Sequence, residues 1–392
     1  MCRVRTMYRE RPWRLQVAAL IALVWSPVVV QGNTVYLFRH CVRNVDYSEV
    51  QEYAKDKFPS WGVAKDMCLP RGLQIFQGIG TNMKDSFATP PMIIADNMQR
   101  NIDSAHALAT GLGVPTTGVV VDHTPFDHST CKAPDSKEKD KLISSRFKHD
   151  PPPANFTAMV KWLDGVLHGK KHVSDKKTKV DGDKLEGAGD IAGKAADVFL
   201  MQYGGGMQVG WGKVTVDEMY DLLQTHVYDW KVTHRSLALE VPKCSPMLAA
   251  ILEALDPTAT HDSTVFLGHD TDLNGVGTLL DIGWTAAPYP DNTTAPSAAL
   301  RFQTSATKVT LDFVYTTFET TSGTMKTSPI FEMNLQDFCT RAVKNVDWSC
   351  VKPLTKGLCE STSREPTSYN IQEHRKQMKT VRATKTHHTS IV

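Results

Sequence analysis

The chain has 392 residues, 41% of them apolar and 22% charged, with a formal charge of +2. That is enough apolar side chain for one large α/β domain carrying an insertion, or for two domains, and it excludes a wholly disordered chain. The near-zero balance excludes a nucleic-acid binder, which would need a concentrated basic face.

At the N-terminus, Arg3, Arg5, Arg9, Arg11 and Arg14 precede the apolar run Val17 to Val30, and Val30 and Gly32 stand at −3 and −1 of a cut before Asn33. This predicts a secretory signal peptide over residues 1–32. The apolar run is interrupted by Pro27 and is short for a membrane span, so no stable membrane insertion is expected after cleavage. Cleavage leaves 39 Lys and Arg against 41 Asp and Glu, so the apparent basicity belongs to the leader. The expected compartment is secreted, periplasmic or lysosome/vacuole-like. Of eight cysteines, seven would remain, which permits disulfides in an oxidising compartment and leaves one thiol over. Cys339 and Cys350 are close in sequence and are expected to pair. Asn155-Phe-Thr and Asn292-Thr-Thr are glycosylation sequons.

Thr34 to Phe38 is a β-rich apolar run that predicts a buried strand. Leu73 to Phe87 has mixed helical character. Met92 to Ala95 reads as a strand, and Asp96 as the cap of a helix running to about Leu112, with Ile102, Ala105, Leu108 and Ala109 on one face. Gly113-Val-Pro ends it, and Val119 to Val121 centres another strand. From about Asp122 to Lys194 Lys and Asp are dense, and within this segment residues 168–184, with Asp interleaved among Lys, read as a solvated stretch. Helices are predicted over Ala195–Met201, Val216–Leu223 and Lys243–Leu255. Strands follow over Ser263–Leu267, just before Gly268-His269-Asp270, and over Lys308–Thr317, with Ile330–Met333 pairing to the latter. Residues 361–392 read as a disordered polar tail. Strands alternating with helices imply an α/β sheet, in which ligand sites collect beyond the C-terminal strand ends.

Two motifs sit at such ends. The first, "VYLFRHCVRN", raises the question of whether sulfur or nitrogen is the working atom. A cysteine-dependent phosphatase needs an arginine six positions after its nucleophile, and Tyr47 stands there. A catalytic thiol is also poorly suited to an oxidising compartment. Arg39-His40-x-x-Arg43 instead places an imidazole between two guanidinium groups, whose forked donors match phosphate oxygens. The second motif, "STVFLGHDTDL", puts His269 and Asp270 directly after a strand, where Asp270 can protonate a leaving oxygen. Arg100 follows near the start of a helix, whose N-terminus favours an anion.

With these three motifs in this order, the sequence resembles the histidine acid phosphatases. "MCLPRGLQIFQGIG", "ADVFLMQYGGGMQVGWGKV" and "AALRFQ" are similar to the periplasmic phytases and glucose-1-phosphatases of that family. The resemblance implies a phosphoglycerate mutase-like α/β core with a mixed sheet flanked by helices, formed by residues 33–122 and 240–360, plus a smaller, mainly helical cap inserted at residues 123–239. It implies His40 as a nucleophile that becomes phosphohistidine, Asp270 as proton donor, and Arg39, Arg43, Arg100 and His269 around the phosphate. The expected substrate is a small phosphomonoester, such as a sugar phosphate or an inositol phosphate, with no metal and no other cofactor. Met207 is expected to shape substrate choice. The family's usual glycine is Cys41 here, its Pro-Thr is Val45-Asp46, and its Asp-Thr-Asn is Asp270-Thr271-Asp272. Asp46 would repel phosphate if it faced inward. These departures leave an alternative in which an impaired relative binds phosphorylated ligands without turnover. The sequence leaves the oligomeric state open.

Overall fold

The computed structural model describes residues 32–351, 355 and 357–362; the expected signal peptide up to Gln31 and the expected tail beyond Thr362 lie outside them, while Ser361 and Thr362 close a short 3-10 helix, Gly357–Thr362. In chain order the elements are β1 (Thr34–Arg39), α1 (Ser48–Gln51), α2 (Pro70–Met83), β2 (Met92–Ala95), α3 (Gln99–Leu112), β3 (Val119–Val121), α4 (Ser136–His149) and α5 (Phe156–Leu167). A small hairpin follows, β4 (Lys179–Asp181) and β5 (Lys184–Glu186). Then come α6 (Ala188–Gly204), α7 (Val216–Thr233), α8 (Leu237–Ala254), β6 (Ser263–Gly268), α9 (Asp270–Leu279), β7 (Ala299–Thr304), β8 (Lys308–Tyr315), β9 (Lys326–Asn334) and α10 (Leu335–Lys344).

Among the described residues a seven-stranded mixed sheet runs in the order β3-β2-β6-β1-β7-β8-β9. The first four strands are mutually parallel and the last three antiparallel. β6 is buried along its whole length and β1 from Val35 onward, as expected of central strands covered on both faces. β9 pairs with β8 as expected, Met333 opposite Val309. The register sets Arg39 beside Gly268 and Ala95 beside Leu267, so β1, β2 and β6 end at one edge. The next residues, His40, Asp96 and His269, emerge together there.

Local chemistry explains several boundaries. Pro70 opens α2, where its missing N–H costs nothing. Gly113 closes α3 in the left-handed region at φ 74°. Thr215 and Glu218 form a reciprocal capping box on α7, which runs ten residues beyond the expected Leu223. Gly275 lets α9 lie against α8; a Cβ there would sit 1.9 Å from the Cys244 sulfur.

The sequence reading of the cysteines needs correction. Cys339 pairs with Cys359 rather than Cys350, and Cys350 pairs with Cys131. Cys339 lies in α10 and Cys350 beyond its far end, so nearness in sequence does not become nearness of the sulfurs. A third bond joins Cys41 to Cys68. Among the described residues the free thiol is Cys244, buried, with its pKa pushed well up by that burial.

Candidate active site

His40 is 2% exposed at the end of β1, and its backbone N–H continues the ladder to Gly268 O. Its Nδ1 lies 2.9 Å from the carbonyl oxygen of Cys41. A carbonyl can only accept, so Nδ1 carries the proton and the lone pair is left on Nε2. Burial, reinforced by Arg39, Arg43, His269 and Arg100, holds the ring's pKa well below its ordinary value. The imidazole is therefore neutral, as a nucleophile must be.

The Cys41 peptide that supplies this acceptor is itself fixed. Its N–H donates to Ser104 Oγ at 3.0 Å, and Ser104 donates to Arg100 O at 2.6 Å. The Cys41 side chain is spent on the bond to Cys68, which starts the run into α2. This settles the opening question against sulfur: Cys41 carries no thiolate.

Three arginines converge on His40, each with part of its fork used by the protein. Arg39 donates through Nη1 to Thr294 O at 2.5 Å, while Nη2 meets Asp270 at 2.9 Å and Asp197 at 3.7 Å. Arg43 donates through Nη1 to Asp66 at 2.8 Å and to Asn44 O. Arg100 donates through Nη2 to His269 Nδ1 at 3.3 Å. The Nε atoms of all three are buried, and among the described residues no acceptor reaches them. Buried charged donors without acceptors are costly, and three around one imidazole fit a tetrahedral anion.

His269 stands T-shaped to His40, ring centroids 5.5 Å apart. Its Nε2 donates to Asp96 Oδ2 at 2.7 Å while Nδ1 accepts from Arg100, so the ring holds Arg100 in place. Asp96 is not the cap of α3, whose N-cap is Met98. It is 2% exposed and also accepts from His123 at 2.5 Å, Asn97 N and Asn101. Burial would raise its pKa, but the bonds from His269 and His123 prevail and hold it well below the usual carboxylate range. Asp270 opens α9. Burial again pushes upward, and Arg39, then Arg43 and His269, bring its pKa down to about 2. Asp272 is buried, caps His269 N at 2.7 Å and takes His128 Nε2 at 2.9 Å.

His40, Asp270, Arg39, Arg43, Arg100 and His269 are thus brought together. Asp46 is not among them: it faces Lys65 at 2.9 Å, caps Ser48 N and is half exposed. The carboxylate that meets Arg43 is Asp66 instead. Met207 is half-buried in the turn after α6, held by its N–H to Gln202 O. Asp66 and Asp197 carry no local motif that marks them for this site, and Asp96 reads locally as a helix cap. Among the described residues, the grouping close enough to ligate a metal, Cys131, Cys350 and Asp347, has both cysteines in a disulfide.

No protein-family model matches the chain. Phytase AppA of Escherichia coli (strain K12) is 25% identical over 340 residues, spanning 71% of this chain and 77% of its own. This likeness agrees with the resemblance to the histidine acid phosphatases. Solved structures agree on the fold of this phosphatase. The phytase from Citrobacter braakii superposes with a TM-score of 0.70 at 20% identity, covering 82% of this chain and 99% of its own. Hafnia alvei phytase gives 0.71 at 20%, covering 82% and 98%.

Proposed function

We propose that this phosphomonoesterase works through a covalent phosphohistidine on His40. The phosphate enters with its oxygens on the Nε edges of Arg39, Arg43 and Arg100. Nε2 of His40 attacks phosphorus as the bond to the leaving oxygen breaks, and that oxygen takes the proton of Asp270. Water then attacks the phosphohistidine and gives its proton to Asp270. Inorganic phosphate leaves, and the lone pair returns to Nε2.

The observation that carries this reading is the Nδ1–H bond of His40 to the Cys41 carbonyl, which leaves the lone pair on Nε2 of a ring near three arginines whose buried Nε atoms have no acceptor among the described residues. Asp270 is ionised beside Arg39 in the free protein. An incoming phosphate dianion cancels the arginines' charge and so raises the acid's pKa. Activity should therefore favour acidic pH. The alternative of a binding protein without turnover rested on Cys41 and Asp46, and neither side chain contacts the clamp. Residues 123–239 we take as the cap over the core, with the Met207 turn reaching substrate. Three disulfides support an oxidising, secretory or periplasmic setting.

The test is hydrolysis of an aryl phosphate with acid-quench trapping of radiolabelled phosphoprotein. Wild type should turn over and trap an acid-labile, base-stable adduct, and His40→Ala should do neither. Turnover that survives His40→Ala overturns the reading.

A further inference from the structure

Between the nucleophile motif and α2, residues 44–66 carry five acidic side chains against three lysines. Their acids reach out to cations around the clamp. Asp66 takes Arg43 at 2.8 Å, Asp46 takes Lys65 at 2.9 Å, and Glu49 takes Lys194 at 2.5 Å. Lys194 lies on α6 three residues before Asp197, the carboxylate near Arg39, so it shares that face. The exposed pairs are individually weak, since water screens them. Arg43 with Asp66 differs: the arginine side chain is 18% exposed and already part of the clamp.

Asp66 is also held where it is. Its N–H donates to Asn44 O at 3.1 Å, Asn44 N–H donates to Met67 O at 3.0 Å, and Cys68 is bonded to Cys41. Its φ of 64° is left-handed, a conformation that Asp and Asn tolerate better than other non-glycine residues. The clamp therefore sets three arginines against three carboxylates, Asp66, Asp197 and Asp270. One phosphate can enter on the Nε edges without displacing Asp66, because Asp66 occupies Nη1. Further anionic groups on the substrate would meet lysines already paired and the partly exposed carboxylate beside Arg43.

We propose that Asp66 is a specificity-determining residue, whose charge beside Arg43 restricts the site to phosphomonoesters whose leaving group carries no further phosphates. This rests on the phosphatase reading above.

The experiment compares kcat/KM for 4-nitrophenyl phosphate and inositol hexakisphosphate in wild type, Asp66→Asn and His40→Ala, at low and high salt. Asparagine keeps the backbone conformation and removes the charge. Wild type should prefer the monophosphate. Asp66→Asn should gain on the order of tenfold on the hexakisphosphate, mostly in KM and lost at high salt, against less than about threefold on the monophosphate. Preference of wild type for the hexakisphosphate, or an unchanged ratio in Asp66→Asn, overturns the inference and leaves the phosphatase reading standing. Absence of turnover on both substrates in wild type, or turnover surviving in His40→Ala, overturns the phosphatase reading and this inference with it.

Discussion

Asp96→Asn probes the support of the clamp without touching the reacting atoms. The carboxylate accepts from His269 Nε2 at 2.7 Å and from His123 Nδ1 at 2.5 Å inside a site where it is 2% exposed. A hydrogen bond to a charged group contributes about 1.5–3 kcal/mol and a neutral one about 0.5–1.5 kcal/mol, so each bond weakens by about 1–1.5 kcal/mol. Only the His269 bond leads to the clamp, through Arg100. That share predicts a fall in kcat/KM of about tenfold, since about 1.4 kcal/mol is one decade. Both bonds together predict a stability loss of about 2–3 kcal/mol. The carboxylate's pKa is depressed in the fold. Its stabilisation is present above the unfolded value near 3.9 and is lost as pH falls through the folded value. The gap in melting temperature between variant and wild type should therefore persist at pH 5 to 7 and narrow only in strong acid. The assay is aryl phosphate kinetics with parallel thermal melts, repeated in an Arg100→Ala background. If Asp96 acts through His269 on Arg100, the substitution costs little rate there. A full tenfold loss in that background, or no loss in the wild-type background, refutes the reasoning.

Replacing Cys41 and Cys68 together by alanine opens a loop with a sequence separation of 27, which the chain-entropy relation values at about 3–4 kcal/mol; chemical melts should show a loss of that size. The same relation makes the Cys131–Cys350 bond, with a separation of 219, the larger loss at about 5 kcal/mol. His128 has its pKa raised: burial opposes the charge, but buried Asp272 prevails. Its stabilisation is complete below the unfolded value of about 6.5 and is lost as pH rises through the higher folded value. Melting temperatures across pH 6 to 9 should show a decline in wild type that His128→Gln lacks.

What was legible in the sequence was whatever is written locally. β1 and β6 announced themselves as unbroken apolar runs, and the residues after them, His40 and His269-Asp270, form the site. Asp96 was misread because an acid just before a helical pattern resembles a cap. Its real partners, His123 and His269, come from later elements. Asp66 and Asp197 offered no signal, because each matters only through an arginine brought to it by the fold. α4 and α5 hid in the Lys-rich stretch after Asp122, where charged helical faces blur the apolar period. The disulfides failed for a geometric reason, since α10 carries Cys339 away from Cys350.

The Cys41–Cys68 bond turns residues 41–68 into a covalent ring whose clasp adjoins His40. The clasp sets the peptide that orients His40, and the body of the ring carries Asp46, Glu49 and Asp66. On the proposed mechanism, sequence change within the body would alter the charge presented to substrates, while the closure keeps the His40 ring in register. Chemistry and selectivity thus sit on one short segment yet can vary separately, which makes residues 44–66 the natural place to re-engineer which phosphates this fold accepts.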